Sequence, residues 1–137
     1  MRKRKTIEYR IYARISRKKC AVLLRKDFED LGDYDQVGRA LRKLIVKGKI
    51  MKIGYGLYAK TSISLFSGKL LPARNLPDIA KEALQRLGIK TLPSTLEKDY
   101  NAGRTTQVPT GRLIGIMSRV RRKIGYGGTY VSYEHVA

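Results

Sequence analysis

Isoleucine recurs every fourth residue near the start of the chain, at Ile7, Ile11 and Ile15, behind Thr6, a residue type suited to capping a helix. This spacing predicts a first helix with one apolar stripe. Arg10, Arg14 and Arg17 fall off the stripe, and the run Arg17-Lys18-Lys19 sets cations where the negative pole of the helix would lie. Residues 21–24, Ala-Val-Leu-Leu, form an unbroken apolar run that reads as the first strand of a small sheet, with Cys20 before it as a buried structural thiol. Residues 26–31 predict a short second helix with Phe28 and Leu31 facing inward and Gly32 as its stop, although Arg25 stands where a capping Ser or Thr is usual. A third helix follows at once over 33–47. Asp33 and Gln36 carry the capping-box spacing, Val37, Ala40, Leu41, Leu44 and Ile45 define one apolar face, and Gly48 ends the run.

The pattern then changes period. Over residues 50–53, Ile50 and Lys52 are expected to point one way on a pleated strand and Met51 and Ile53 the other. Gly54 and Gly56 flank Tyr55 at the reversal, where a positive φ is expected of either glycine. Two helices joined by a tight glycine turn, then a basic hairpin over 49–60, form the pattern of a helix-turn-helix with its wing. Residues 61–75 mix Ser, Gly, Pro and apolar residues and read as a linker. Beyond it, Ile79, Ala83, Leu84 and Leu87 predict a helix over 76–87 stopped by Gly88, a strand over 89–92, and a short helix capped by Ser94. A further strand is expected over 112–117, and a Tyr-rich hairpin over 121–133 closes the chain. The expected class is α+β: a winged helix-turn-helix over 1–60, a linker over 61–75 and a small α/β domain over 76–137.

Charge sharpens the picture. The 137 residues hold 30 Lys and Arg against 11 Asp and Glu, a net charge of +19 with a pI near 10.4. A field of this sign favours a polyanionic partner, nucleic acid first and an anionic membrane surface second. No apolar run approaches the roughly 20 residues that cross a bilayer, and the basic residues Arg2 to Lys5 are followed by no apolar segment of an export signal. They read as a basic arm. A single cysteine and a single histidine, Cys20 and His135, exclude an intrachain disulfide and argue against a zinc site. No nucleophile–base motif, phosphate-binding loop or dinucleotide fingerprint occurs, so a non-enzyme without a cofactor is expected, in a reducing cytoplasmic setting.

The candidate contacts follow from these faces. Arg39, Arg42 and Lys43, with Gln36 near the helix start, lie opposite the apolar face of the third helix and are the choices for the major groove. There Arg pairs with guanine and Gln with adenine. On the hairpin, Lys49, Lys52 and Lys60 suit phosphates and Tyr55 the sugar-phosphate backbone, while Tyr58 is expected to pack inward. Tyr126, Tyr130 and Tyr133, near Arg121, Arg122 and Lys123, offer single-stranded bases a stacking surface, but half-buried strand tyrosines are the plainer account.

With these residues set out, the chain resembles the AbiEi-like antitoxin and transcriptional-regulator family of type IV toxin–antitoxin systems. The likeness lies in Lys26-Asp27-Phe28 and Asp30-Leu31-Gly32, in the apolar pattern of the third helix up to Lys47-Gly48, and in Gly54-Tyr55-Gly56-Leu57-Tyr58, similar to that family's wing. Downstream it continues in Pro93-Ser94 and Thr106-Gln107-Val108-Pro109. The resemblance implies a winged helix that binds operator DNA and represses its own operon. It also implies a second domain acting against a nucleotidyltransferase-like toxin. Two alternatives stand beside it: a basic RNA-binding or ribosome-associated protein, and an antitoxin that works mainly by direct toxin contact.

Overall fold

The computed structural model describes residues 6–136, so the basic arm expected at Arg2 to Lys5 lies outside the described residues. The chain divides into two compact units, one ending at Arg74 and the other beginning at Asn75. Both mix helices and strands, the α+β class.

In the first unit, α1 spans Ile7–Arg17. Thr6 caps it, its hydroxyl accepting from the Tyr9 amide at 3.1 Å. Ile11 and Ile15 are buried, and Ile7 packs at the edge of the same core. Strand β1 (Val22–Leu24) follows, then a 3₁₀ helix over Arg25–Leu31 with Phe28 fully buried. Leu24, the residue before this helix, offers no side-chain cap, and the tie at this end comes from Asp27 in the first turn. The Asp27 carboxylate accepts from the Leu24 amide at 2.9 Å. Arg14 reaches across from α1 with two hydrogen bonds to the Asp30 carboxylate, 2.5 and 2.8 Å, and a third to the Asp27 carbonyl at 2.8 Å. The Arg14 guanidinium holds the Asp30 carboxyl below its usual range.

Helix α2 spans Tyr34–Val46. Its capping box is complete, with the Gln36 amide donating to Asp33 Oδ1 at 2.8 Å and the Asp33 amide donating to Gln36 Oε1 at 3.0 Å. Asp33→Ala removes the bond that the carboxylate accepts from the Gln36 amide, leaves the backbone amide of residue 33 in place, and is expected to cost about 1 kcal/mol, read as a lower urea midpoint at unchanged slope. An unchanged midpoint would show that the cap does not hold the helix start. Arg25 is built into the same end. Its guanidinium lies 3.5 Å from the centre of the Tyr34 ring and donates to the Tyr34 carbonyl. It also occupies the space over Gly38, where an added Cβ would come within 2.5 Å of Arg25 Nη2. That contact accounts for a glycine inside a helix, where it otherwise costs about 1 kcal/mol.

Strands β2 (Ile50–Gly54), β3 (Leu57–Ile63) and β4 (Leu70–Pro72) complete the unit. The sheet order is β1-β3-β2, with β4 paired to the far end of β3, every pair antiparallel. Leu23 and Tyr58 are register partners, and both join Ile50 in the core formed with α1, Phe28 and the inner face of α2. On the other side of the pleat Val22 pairs with Ala59 and Leu24 with Leu57, and all four are buried. Tyr58 packs inward as expected, and burial pushes its phenol above the usual value.

Ile50 and Lys52 share the face of their partners Lys60 and Tyr58, and Met51, opposite Ala59, takes the other, as the alternation predicts. A register shift between Lys52 and Gly54 then leaves an extra residue in β2. Two expectations for this region are corrected. Only Gly56, at φ +66°, takes the left-handed conformation at the turn, and Gly54 stays in β2. Nor is 61–75 simply a linker. Thr61–Ile63 pair with Pro72–Leu70 as a second hairpin on β3, and Ala73 donates to the Lys60 carbonyl at 2.8 Å.

In the second unit α3 (Leu76–Arg86) is capped by Asn75 and buries Leu76, Ile79, Ala80, Ala83 and Leu84. Strand β5 (Thr91–Leu92) leads to α4 (Thr95–Asn101), where Ser94 and Glu97 form a capping box. Strands β6 (Leu113–Ile116), β7 (Gly125–Tyr126), β8 (Thr129–Tyr130) and β9 (Ser132–His135) follow. The expected terminal hairpin is shorter than 121–133. Only β7 and β8 form it, around Gly127-Gly128 with both φ values positive, as a type I′ turn requires. After Val131 the chain changes partner: Val131 donates to the Ile124 carbonyl, Ser132 donates to the Arg112 carbonyl, and β9 then runs parallel to β6 in a sheet ordered β5-β6-β9. Glu134, on β9, accepts from the hydroxyl of Thr95 at 2.6 Å and from its amide at 2.7 Å, which holds its carboxyl below the usual value.

Candidate nucleic-acid interface

The inner residues of α2, Val37, Ala40, Leu41 and Leu44, fix what lies outside. By helical geometry Arg39, Arg42, Lys43 and Val46 fall on the opposite face, and all four are exposed. With Lys47 they line a shallow groove along the helix surface. Its walls are the aliphatic stems of the cations, and Val46 is 87% exposed among them. Val46 was not among the sequence candidates. Its signal was an apolar residue on an otherwise cationic face. Gln36 is exposed near the helix start, but its carbonyl oxygen is engaged in the capping box, leaving its amide nitrogen as the outward group.

The acids of this unit are largely occupied elsewhere. Asp33 and Asp27 cap helices, Asp30 pairs with Arg14, and Glu8 pairs with Lys47 at 2.8 Å. Among the described residues no acid pairs with Arg39, Arg42 or Lys43. The sequence adds a wider asymmetry: between residues 36 and 77 there are nine Lys and Arg and no Asp or Glu. That stretch holds most of α2 and both hairpins on β3. Charge that no internal acid offsets attracts anions from outside.

The hairpin residues divide. Lys52 is exposed on β2, and Tyr55 is 79% exposed at the turn. Lys49 is exposed, its ammonium 5.4 Å from the centre of the Tyr12 ring. Lys60 stands apart from these, half-buried, with its ammonium donated to the Lys18 carbonyl just past the end of α1. It serves as a tie between β3 and α1. A second cationic depression, lined by Tyr9, Arg10, Arg14, Arg17, Lys18 and Leu31, lies along α1. The off-stripe spacing of its arginines was legible, but not that Arg14 would be committed to Asp30.

Elsewhere the chemistry is sparse. Among the described residues no group of three or more His, Cys, Asp or Glu is placed to hold a metal ion, and no helix is long and apolar enough to cross a membrane. Cys20 is half-buried, not fully buried as expected, because the apolar run is enclosed only from Ala21 onward. In the second unit the Tyr133 hydroxyl donates to the Arg122 carbonyl at 2.7 Å, and Tyr130 is exposed with Lys123 6.0 Å from its ring centre.

A family model described as "Family of unknown function (DUF6088)" matches residues 10–136. No curated protein and no solved structure matches the chain.

Proposed function

The chain belongs to the DUF6088 family, and we propose that it is a sequence-specific duplex-DNA-binding regulator that reads its site with α2. The observation that carries this reading is the outward face of α2: three cations with no acidic partner among the described residues, on a helix held by its own buried aliphatic side. We read the order α1, β1, 3₁₀ helix, α2, β2, β3 as a winged helix-turn-helix, with α2 as the recognition helix and the β2–β3 hairpin as the wing.

In this reading α2 enters the major groove. Arg39 and Arg42 reach guanine edges or phosphates, and Lys43 adds a phosphate contact. Val46 offers a surface for a thymine methyl group. Gln36 keeps its capping bond and contacts acceptors through its amide nitrogen. Lys52, Tyr55 and Lys49 grip the flanking backbone. The resemblance to AbiEi-like regulators supports a non-enzymatic repressor of its own operon, an antitoxin type with a nucleotidyltransferase-like toxin as its protein partner, acting in the cytoplasm at the nucleoid.

Competition between a mixed-sequence DNA duplex and a structured RNA hairpin, at one fixed salt concentration, tests the reading. The duplex is expected to win, with an affinity that falls steeply as salt is raised. A clear preference for the RNA would remove the proposal and favour the exposed Tyr130 and Lys123 surface of the second unit.

A further inference from the structure

Leu65 and Phe66, at the tip of the β3–β4 hairpin, are both fully exposed. Their turn is held by its own polar groups. Ser64 donates to the Lys69 carbonyl and Gly68 donates to the Ser64 carbonyl, each at 2.9 Å. The Ser64 hydroxyl accepts from the amides of Phe66 and Ser67 at 3.2 and 3.3 Å, and Gly68 turns the chain at φ +68°. The two apolar side chains are thus presented outward on a structured loop. The root of the hairpin is fastened to the segment just past the end of α2, because the Thr61 hydroxyl donates to the Gly48 carbonyl at 2.7 Å, with the Lys49 carbonyl at 3.1 Å. Leu70 lies beside Gly48.

We infer that this tip is an apolar wedge that enters duplex DNA between base pairs, next to the groove occupied by α2. The inference rests on the duplex-binding reading above. From Thr61 to Ile63, the end of β3, the strand advances about 7 Å, and the turn carries Leu65 and Phe66 beyond it. The chemistry is that of architectural DNA-binding proteins, which insert Phe or Leu between base steps, unstack them and kink the helix, while nearby cations hold the phosphates. Lys69 stands at the base of the turn for that contact. Charge selects the occupant. The hairpin lies in the acid-free stretch of a chain of net charge +19, which disfavours a second copy and favours a polyanion. Attachment to α2, and not to a separate amphipathic element, favours DNA over an anionic bilayer.

The test compares the full chain with its Leu65→Ser/Phe66→Ser variant, whose thermal midpoint should be unchanged because both side chains are fully exposed. The wild type is expected to change the linking number of a relaxed plasmid closed by topoisomerase and to shorten the end-to-end distance of a labelled mixed-sequence duplex. The variant should lose both effects and bind the duplex about tenfold more weakly, and Phe66→Trp should retain them. Unwinding and bending undiminished in the double variant would overturn the wedge. So would a variant that lost attachment to phosphatidylserine vesicles, or changed from dimer to monomer, while its action on DNA persisted. A wild-type chain that binds the duplex without unwinding it defeats the wedge alone. A chain that does not bind the duplex at all defeats the regulator reading and the wedge with it.

Discussion

Replacing Arg39 and Arg42 together by alanine is expected to lower duplex affinity about a hundredfold or more while leaving the fold intact. Each guanidinium in a bidentate base contact is worth about 1–3 kcal/mol, and two such losses compound. The two residues are three apart on one helix face, so their effects are expected to couple and the double variant should depart from the product of the singles. Both are exposed and neither holds an ion pair among the described residues, so folding loses nothing that they supply. Alanine also has the higher helix propensity. A fluorescence-anisotropy titration with a thermal melt on the same samples separates the two effects. If affinity stays within twofold of the wild type, α2 is not the recognition helix. The single variants carry further information. A residue reading a base should relax sequence preference, whereas one on a phosphate should weaken every sequence alike and reduce the salt slope by roughly one unit.

The largest effect on stability is expected at Phe28. Its ring is fully buried in the first unit, packed with Ile11, Val37 and Leu41 under the 3₁₀ helix that leads into α2. Phe28→Ala removes that apolar surface and leaves a cavity, at a cost of about 3–5 kcal/mol. A domain of this size holds roughly 5–15 kcal/mol in all, so the variant should melt far below the wild type. Urea unfolding followed by circular dichroism measures it. Because Phe28 is far inside the surface, duplex affinity measured at a temperature where the variant is still folded should stay near the wild-type value. A loss under 1 kcal/mol would mean that the 3₁₀ helix is not pinned by this ring.

Local chemistry made much of this fold legible. Thr6, the Asp33–Gln36 pair and Ser94 announce helix starts because a side-chain acceptor three residues before an orphan amide satisfies it, a relation confined to one turn. The inner and outer faces of α1, α2 and α3 follow from helical period alone. What was missed depends on groups distant in sequence. The bulge near Ile53 keeps the composition of a regular strand. The β3–β4 hairpin uses the Ser and Gly residues that also mark linkers, and only its pairing with β3 distinguishes it. The parallel alignment of β9 with β6 leaves no periodic trace, since a strand alternates identically whichever way its neighbour runs. Arg25 reads as a missing cap, whereas its guanidinium fills the space over Gly38 and stacks on Tyr34. In the candidate interface, exposure on α2 was readable from spacing. The engagement of Lys60 with the Lys18 carbonyl was not, because those residues are 42 apart in the chain.

The most direct test of the central claim is an NMR titration of the isotope-labelled chain with a DNA duplex, following arginine side-chain and backbone signals together. The largest shifts are expected on Arg39, Arg42, Lys43 and Val46, with smaller ones at Lys52 and Tyr55. Shifts confined to residues 121–133, with every signal of α2 unmoved, would contradict it.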